Sequence, residues 1–255
     1  MSSPLPPEML DLIVDFLHDK PDALKACCLV SKSWIHRTRE HLFAHVEFSS
    51  RSRIELWKKA FPDPSNSPVR HTRSLRIHAP SVVTSVDTGV GGWICTFSGV
   101  VRLHVDTRVF GGGRKISLVP LRGLSPSLKS LRLVYESSAP SSEIFGLVCS
   151  FPLLEDLALD SPDNGNEVDG WNIPSTSPKL TGRLDLRMSS GIRSAACRLL
   201  EFPSGLHFSK ITMTYIDGDI ESTMDLVSKC SDTLESLTID SCFYLGGEFF
   251  LYQLL

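Results

Sequence analysis

The chain has 255 residues, 42 % of them hydrophobic and 22 % charged, with a formal net charge of −3. That length suits one large domain or a small one joined to a medium one, and the composition is that of an ordinary soluble globular protein. The near-neutral balance argues against bulk nucleic-acid binding, and no apolar run approaches the ~20 residues that a membrane span needs. Seven cysteines, an odd number with no C-x-x-C pair, fall mostly inside apolar segments and read as reduced core residues. The N-terminal MSSPLPPEM lacks the basic-then-apolar pattern of a secretory signal. The expected address is the cytoplasm, the nucleus, or both.

In chain order, Pro7 and Glu8 suit the first turn of a helix, because proline lacks only an N–H that would be orphaned there and a carboxylate favours the positive helix end. Met9, Leu12, Ile13, Phe16 and Leu17 then recur at the spacing of one helical face. The pattern breaks over 18–21, and Asp22 is the expected N-cap of a second helix carrying Leu24, Cys27, Cys28 and Val30. A third, more basic helix is expected from Lys32 toward His41, after Ser31. Three short helices with this much apolar surface cannot hide all of it from one another.

The run Leu5, Pro6, Glu8, Leu10, Ile13, Leu17, Leu24, Val30, Ser31, Lys32 and Trp34 resembles the F-box in order and spacing over about thirty residues. Ser31 stands where many members have Cys. The wording CCLVSKSW followed by RTREHLFAHVEF is most similar to F-box-like families of mushroom-forming fungi. The resemblance implies that 1–45 is an F-box that docks onto the Skp-type adaptor of a cullin ubiquitin ligase. On that reading Leu5, Pro6, Leu10, Ile13, Leu17, Leu24, Val30 and Trp34 face or support the adaptor interface.

Past His41 the texture changes to short apolar patches between polar, Pro- and Gly-containing stretches. A pattern L-x-x-L-x-L recurs as Val100/Leu103/Val105, Leu128/Leu131/Leu133, Leu154/Leu157/Leu159, Phe208/Ile211/Met213 and Leu234/Leu237/Ile239. Leu180, Leu184 and Leu186 follow it with one residue more, and Leu75 and Ile77 fit its second half. The middle positions 75, 103, 131, 157, 184, 211 and 237 are 28, 28, 26, 27, 27 and 26 residues apart. Such even spacing lies within the roughly 20–29 residues of leucine-rich repeats, each giving one strand and one return. The Asn that normally follows the strand is missing, so 46–255 is expected to be a degenerate leucine-rich-repeat-like solenoid with a parallel sheet. The fold class is thus α/β.

Helical returns are expected at Ile54–Phe61, Ser142–Ser150, Ile192–Phe202 and Ile220–Cys230, whereas 79–99 and 161–178 read as loops. The end of the chain, from Phe249 to Leu255, is apolar where a solenoid needs a polar cap. Either this tail folds back as the cap or the chain is truncated.

Catalytic constellations are thin, and no enzyme is expected. Gly111–Gly113 before Arg114 and Lys115 lacks phosphate-loop spacing and reads as a turn. Asp160, Asp163, Glu167 and Asp169 miss the calcium-loop spacing and read as a solvated loop. The eight histidines include no H-E-x-x-H and no cysteine at ligand spacing, so no metal or cofactor is expected. What remains is a binding surface. Residues between the inward leucines point to the other face of the sheet: Arg76, His78, Arg102, His104, Asp106 and Arg132, then Asp156, Asp160, Arg183, Asp185 and Arg187, then Thr212, Thr214, Thr238 and Asp240. Such a stripe, basic and then acidic, selects a partner of complementary charge.

The expected function is therefore a substrate-recognition adaptor of a Skp–cullin–F-box ubiquitin ligase. It joins the Skp-type adaptor, and through it cullin, to an unknown substrate protein, with neither nucleic acid nor membrane as partner. The alternative is an F-box scaffold acting in a non-ubiquitin complex.

Overall fold

The recurring leucines come to lie side by side. In a computed structural model, which describes residues 6–63, 67–78, 93–107, 117–135, 141–161, 177–188, 192–215, 220–245 and 248–254, the chain is an α/β protein. Its sheet has nine strands whose order is the order of the chain. The strands are β1 (His45–Phe48), β2 (Ser74–Ile77), β3 (Arg102–Asp106), β4 (Ser130–Val134), β5 (Asp156–Ser161), β6 (Arg183–Met188), β7 (Lys210–Tyr215), β8 (Ser236–Leu245) and β9 (Glu248–Leu254). The first eight run parallel, and β9 folds back antiparallel on β8.

Register follows the repeat. Val46, Leu75, Leu103, Leu131, Leu157, Leu184, Ile211 and Leu237 form one row across the sheet. Phe48, Ile77, Val105, Leu133, Leu159, Leu186, Met213 and Ile239 form the second. A slip of one residue would turn both rows outward, so burial of this face holds the register. Most of these side chains are fully buried, against Phe97, Leu121, Leu124, Leu128, Phe145, Phe151, Leu199, Phe202 and Leu226 from the return segments, in one contiguous core.

The strand β1 has no counterpart in the repeat as read from the sequence. Its two inward residues, Val46 and Phe48, stand 29 residues before Leu75 and Ile77, close to the period, and pairing with β2 makes them a rung.

A second ladder lies at the strand entrances, where one carbonyl serves two successive N–H groups of the next rung. Ala44 accepts from Arg73 and Ser74, Arg73 from Val101 and Arg102, Val101 from Lys129 and Ser130, and Lys129 from Glu155 and Asp156. The pattern breaks between β5 and β6. There Glu155 accepts only from Gly182, and the Arg183 N–H goes to Asp156 Oδ1 at 2.7 Å. This is the rung with the extra residue in its repeat, and a side chain makes up for the backbone partner lost. The substitution needs Gly182, since a Cβ there would run into the Asp156 carboxylate.

Helices lie where they were expected, three at the N-terminus, α1 (Pro7–Asp15), α2 (Pro21–Val30) and α3 (Lys32–Leu42), and four in the returns, α4 (Arg51–Ala60), α5 (Ser141–Val148), α6 (Ile192–Leu200) and α7 (Ile220–Lys229). Short 3₁₀ turns at Pro68–His71 and Val119–Gly123 serve other returns. Much of 79–99 and 161–178, the glycine triplet and the residues Asp163, Glu167 and Asp169 lie outside the described residues.

Asp22 is not the N-cap of α2. Pro21 takes the first helical position, where its missing N–H costs nothing, so the helix starts earlier and Asp22 pairs with Lys25 at 2.9 Å. Ser31 does cap α3, accepting from the Ser33 N–H.

The cysteines only partly follow the core reading. None of the six described forms a disulfide, but just Cys27 and Cys230 are buried, and Cys197 is exposed on α6.

Candidate functional site

Two surfaces bear on function. The first is on the N-terminal helices. Helix α1 is apolar on two sides. Leu10, Val14 and Leu17 form the inner stripe, Val14 fully buried and the others half-buried. The outer stripe is Met9, Leu12, Ile13 and Phe16, at 47, 51, 40 and 80 % exposure. On α2, Leu24 and Cys27 turn inward while Leu29 and Val30 stand 89 and 69 % exposed. Burying one such side chain is worth roughly 1.5–3 kcal/mol, so these six hold a large unspent driving force for association.

A polar link adds to the packing of these helices. Val14, Leu24 and Cys27, the buried apolar residues of α1 and α2, are not part of the main core cluster. A clasp joins α1 to α3: Arg37 Nε donates to Asp15 Oδ1 at 2.7 Å and Arg37 Nη2 to Oδ2 at 2.8 Å. Arg37 Nη1 also donates to Glu40 at 2.8 Å, and His41 Nε2 lies 2.7 Å from Asp15 Oδ1. Hydrogen bonds from Arg37 and then His41 hold the Asp15 carboxyl well below the usual carboxylate range. Toward the sheet, the His36 ring meets His71 edge-on at 5.4 Å.

Of the residues expected at this surface, Leu5 lies outside the described residues. Pro6, Ile13 and Val30 are exposed, Leu10, Leu17 and Trp34 half-buried, and Leu24 fully buried as a support. Phe16 and Leu29, 80 and 89 % exposed, were missed as contact residues. The helical period marks Phe16 as part of a face, but it does not tell which face looks outward.

The second surface is the strand face opposite the core. Across it, Glu47, Arg76, His104, Arg132, Ala158, Asp185, Thr212 and Thr238 stand in one row. Its two halves differ. On β5 and β6 the charges are used internally. Asp156 accepts the Arg183 N–H, and buried Asp185 binds Arg187 at 3.0 Å with Arg183 at 3.9 Å. The Asp185 carboxylate accordingly raises the Arg187 pKa. These acidic residues, expected to face a partner, therefore serve the fold first.

On β2–β4, Arg76 Nε donates to His104 Nδ1 at 2.9 Å, and His78 lies 3.6 Å from Glu47 and 3.8 Å from Asp106. Burial, then the charges of Arg76 and Arg132, push the His104 pKa down to about 4, so the ring is neutral at pH 7. Arg102 is exposed and Arg132 half-buried.

A groove of about 570 Å³ between α3, β1 and α4, lined by Phe43, Phe48, Leu56, Trp57 and Phe61 among others, was not anticipated. Its aromatic residues are spread along the chain and converge only on folding. Among the described residues, no group of three His, Cys, Asp or Glu side chains is placed to hold a metal ion, and no helix is long and apolar enough to cross a membrane.

The fold and these surfaces define an α/β protein with a chain-ordered parallel sheet and an N-terminal helical unit that keeps apolar side chains on its outside. No family model matches the chain. No curated protein matches it significantly.

Proposed function

We propose that the chain is a substrate-recognition adaptor of a Skp–cullin–F-box ubiquitin ligase. In this reading α1–α3 are the F-box and dock a Skp-type adaptor. The sheet with its returns is a leucine-rich-repeat-like solenoid whose strand face captures a target protein. No chemistry is asked of this chain: holding the target near a ubiquitin-charged partner raises its effective concentration there. The observation that carries the reading is the outer apolar stripe of α1, together with Leu29 and Val30 on α2. A short helical unit that spends its apolar residues outward while its own core stays thin is built to be completed by another protein.

The test is co-purification with a Skp-type adaptor, comparing wild type with Ile13→Asp/Phe16→Asp. Both side chains are exposed, so the variant keeps its thermal transition yet loses the adaptor. Equal recovery with wild type and variant, or recovery with neither, overturns the proposal. Adaptor recovered without cullin would favour the scaffold in a non-ubiquitin complex.

A further inference from the structure

We propose that Arg76, His104 and Arg132 form an oxyanion subsite on the strand face, which receives a phosphate or carboxylate group of the captured protein. The inference deepens the substrate-capture reading above and rests on it for the identity of the ligand's carrier, though not for the subsite itself.

The three side chains occupy consecutive places in one row, on neighbouring parallel strands ~4.8 Å apart, with Arg76 opposite His104 and His104 opposite Arg132. Arg76 Nε donates to His104 Nδ1. A neutral ring whose Nδ1 accepts must carry its proton on Nε2. That Nε2 is buried with no hydrogen-bond partner, and so is Arg132 Nε on the next strand. Two adjacent buried N–H donors thus lack an acceptor, which is costly in a folded protein. Arg132 also makes no ion pair among the described residues, although a half-buried guanidinium without a counter-charge carries a desolvation penalty.

Among the described residues no acceptor reaches these two donors, and the nearby Glu47 lies 3.9 Å from Arg76 and 3.6 Å from His78. The residue opposite Arg132 on β5 is Ala158, short and apolar. Asp106 lies 3.8 Å from the His78 ring. Elsewhere the same sheet solves the same problem internally: Arg187 has Asp185 at 3.0 Å, and Lys129 has Glu155 at 2.8 Å. The deficit on these strands is therefore local to His104 and Arg132. An oxyanion meets it, since guanidinium and imidazole N–H groups are strong, directional donors to phosphate and carboxylate oxygens. His104 and Arg132 are half-buried and their unpaired N–H groups are themselves closed to solvent, so in the proposal the two side chains turn outward to meet the incoming group.

The intact chain is titrated with N-acetyl-phosphoserine amide and, separately, N-acetyl-aspartate amide, following the His104 imidazole by NMR. Saturable binding is expected for at least one probe, with an upward move of the His104 pKa from about 4 as negative charge joins Arg76, Arg132, His78 and Asp106 around the ring. Arg132→Gln is expected to weaken binding about tenfold or more, the scale of one charge-assisted hydrogen bond. Arg76→Gln should do likewise, whereas Arg187→Gln, whose guanidinium already serves Asp185, leaves it unchanged. Tighter binding of the phosphoserine probe identifies a phosphorylated target and equal binding an acidic one; both uphold the subsite. Absence of saturable binding, or equal losses in Arg132→Gln and Arg187→Gln, overturns it. Adaptor co-purification with Arg132→Gln separates the two proposals: it persists if the helices dock as proposed, whether or not the subsite exists.

Discussion

The helical unit and the sheet use similar residues to opposite ends. In the sheet, aliphatic side chains a repeat apart in sequence become neighbours, and each rung buries the next. In α1–α3 only Val14, Leu24 and Cys27 are buried among the apolar residues, and Met9, Leu12, Phe16 and Leu29 stand outside. A clasp of Asp15 with Arg37 and His41 adds a polar link between α1 and α3. A leucine thus stabilises the fold in one region and, in the other, is a reserve for association.

The sharpest way to break this contrast is to truncate a leucine in each region. Leu131→Ala removes a fully buried rung residue and is expected to cost about 2–5 kcal/mol in urea denaturation. Leu12→Ala, in the outer stripe, is expected to stay within about 0.5 kcal/mol. Comparable losses would mean that the stripe packs against this chain after all.

Of intermediate size is Gly182→Ala, which sets a methyl against the Asp156 carboxylate and should cost about 1–3 kcal/mol, as overpacking does. Adding Asp156→Ala makes room for the methyl, so the double variant should be more stable than the two single losses add to. Strict additivity would remove the side-chain bridge from β5 to β6.

A last set of variants separates the regions by pH. The fold holds His104 down at about 4 against an ordinary 6.5. The unfolded chain therefore takes the proton more readily, and the sheet loses stability as pH falls from 6.5 to about 4. Asp15 is held below its ordinary 3.8, so the clasp contributes above that value and is lost as pH falls beneath it. His104→Gln should flatten the upper window of the stability–pH curve and Asp15→Asn the lower one. Because Asp15 and Arg37 are about one-third exposed, solvent screening keeps the latter effect to about 1 kcal/mol or less. A curve unchanged in both windows would show that neither group is linked to folding.

Much of the fold was legible because its period is local. Leu75 through Leu237 announced seven rungs, and the returns at α4, α5, α6 and α7 fell where helical stretches were expected. The misses have physical causes. Val46 and Phe48 carry no leucine and follow closely on the third helix, which hid them as a strand, and Asp22 was displaced as a cap by the proline before it. The strand-face residues were legible as outward by alternation, but not their availability. Asp156 and Asp185 are engaged by Arg183 and Arg187, while Arg132 has no counter-charge among the described residues.

By itself the sequence determined which positions share a face, since strand and helix periods set side-chain direction over a few bonds. Tertiary structure alone decided which apolar stripe of α1 stays outside and that Arg132 has no counter-charge among the described residues. Those outcomes depend on neighbours a whole repeat away, or on another helix, and a local period says nothing about what arrives beside it.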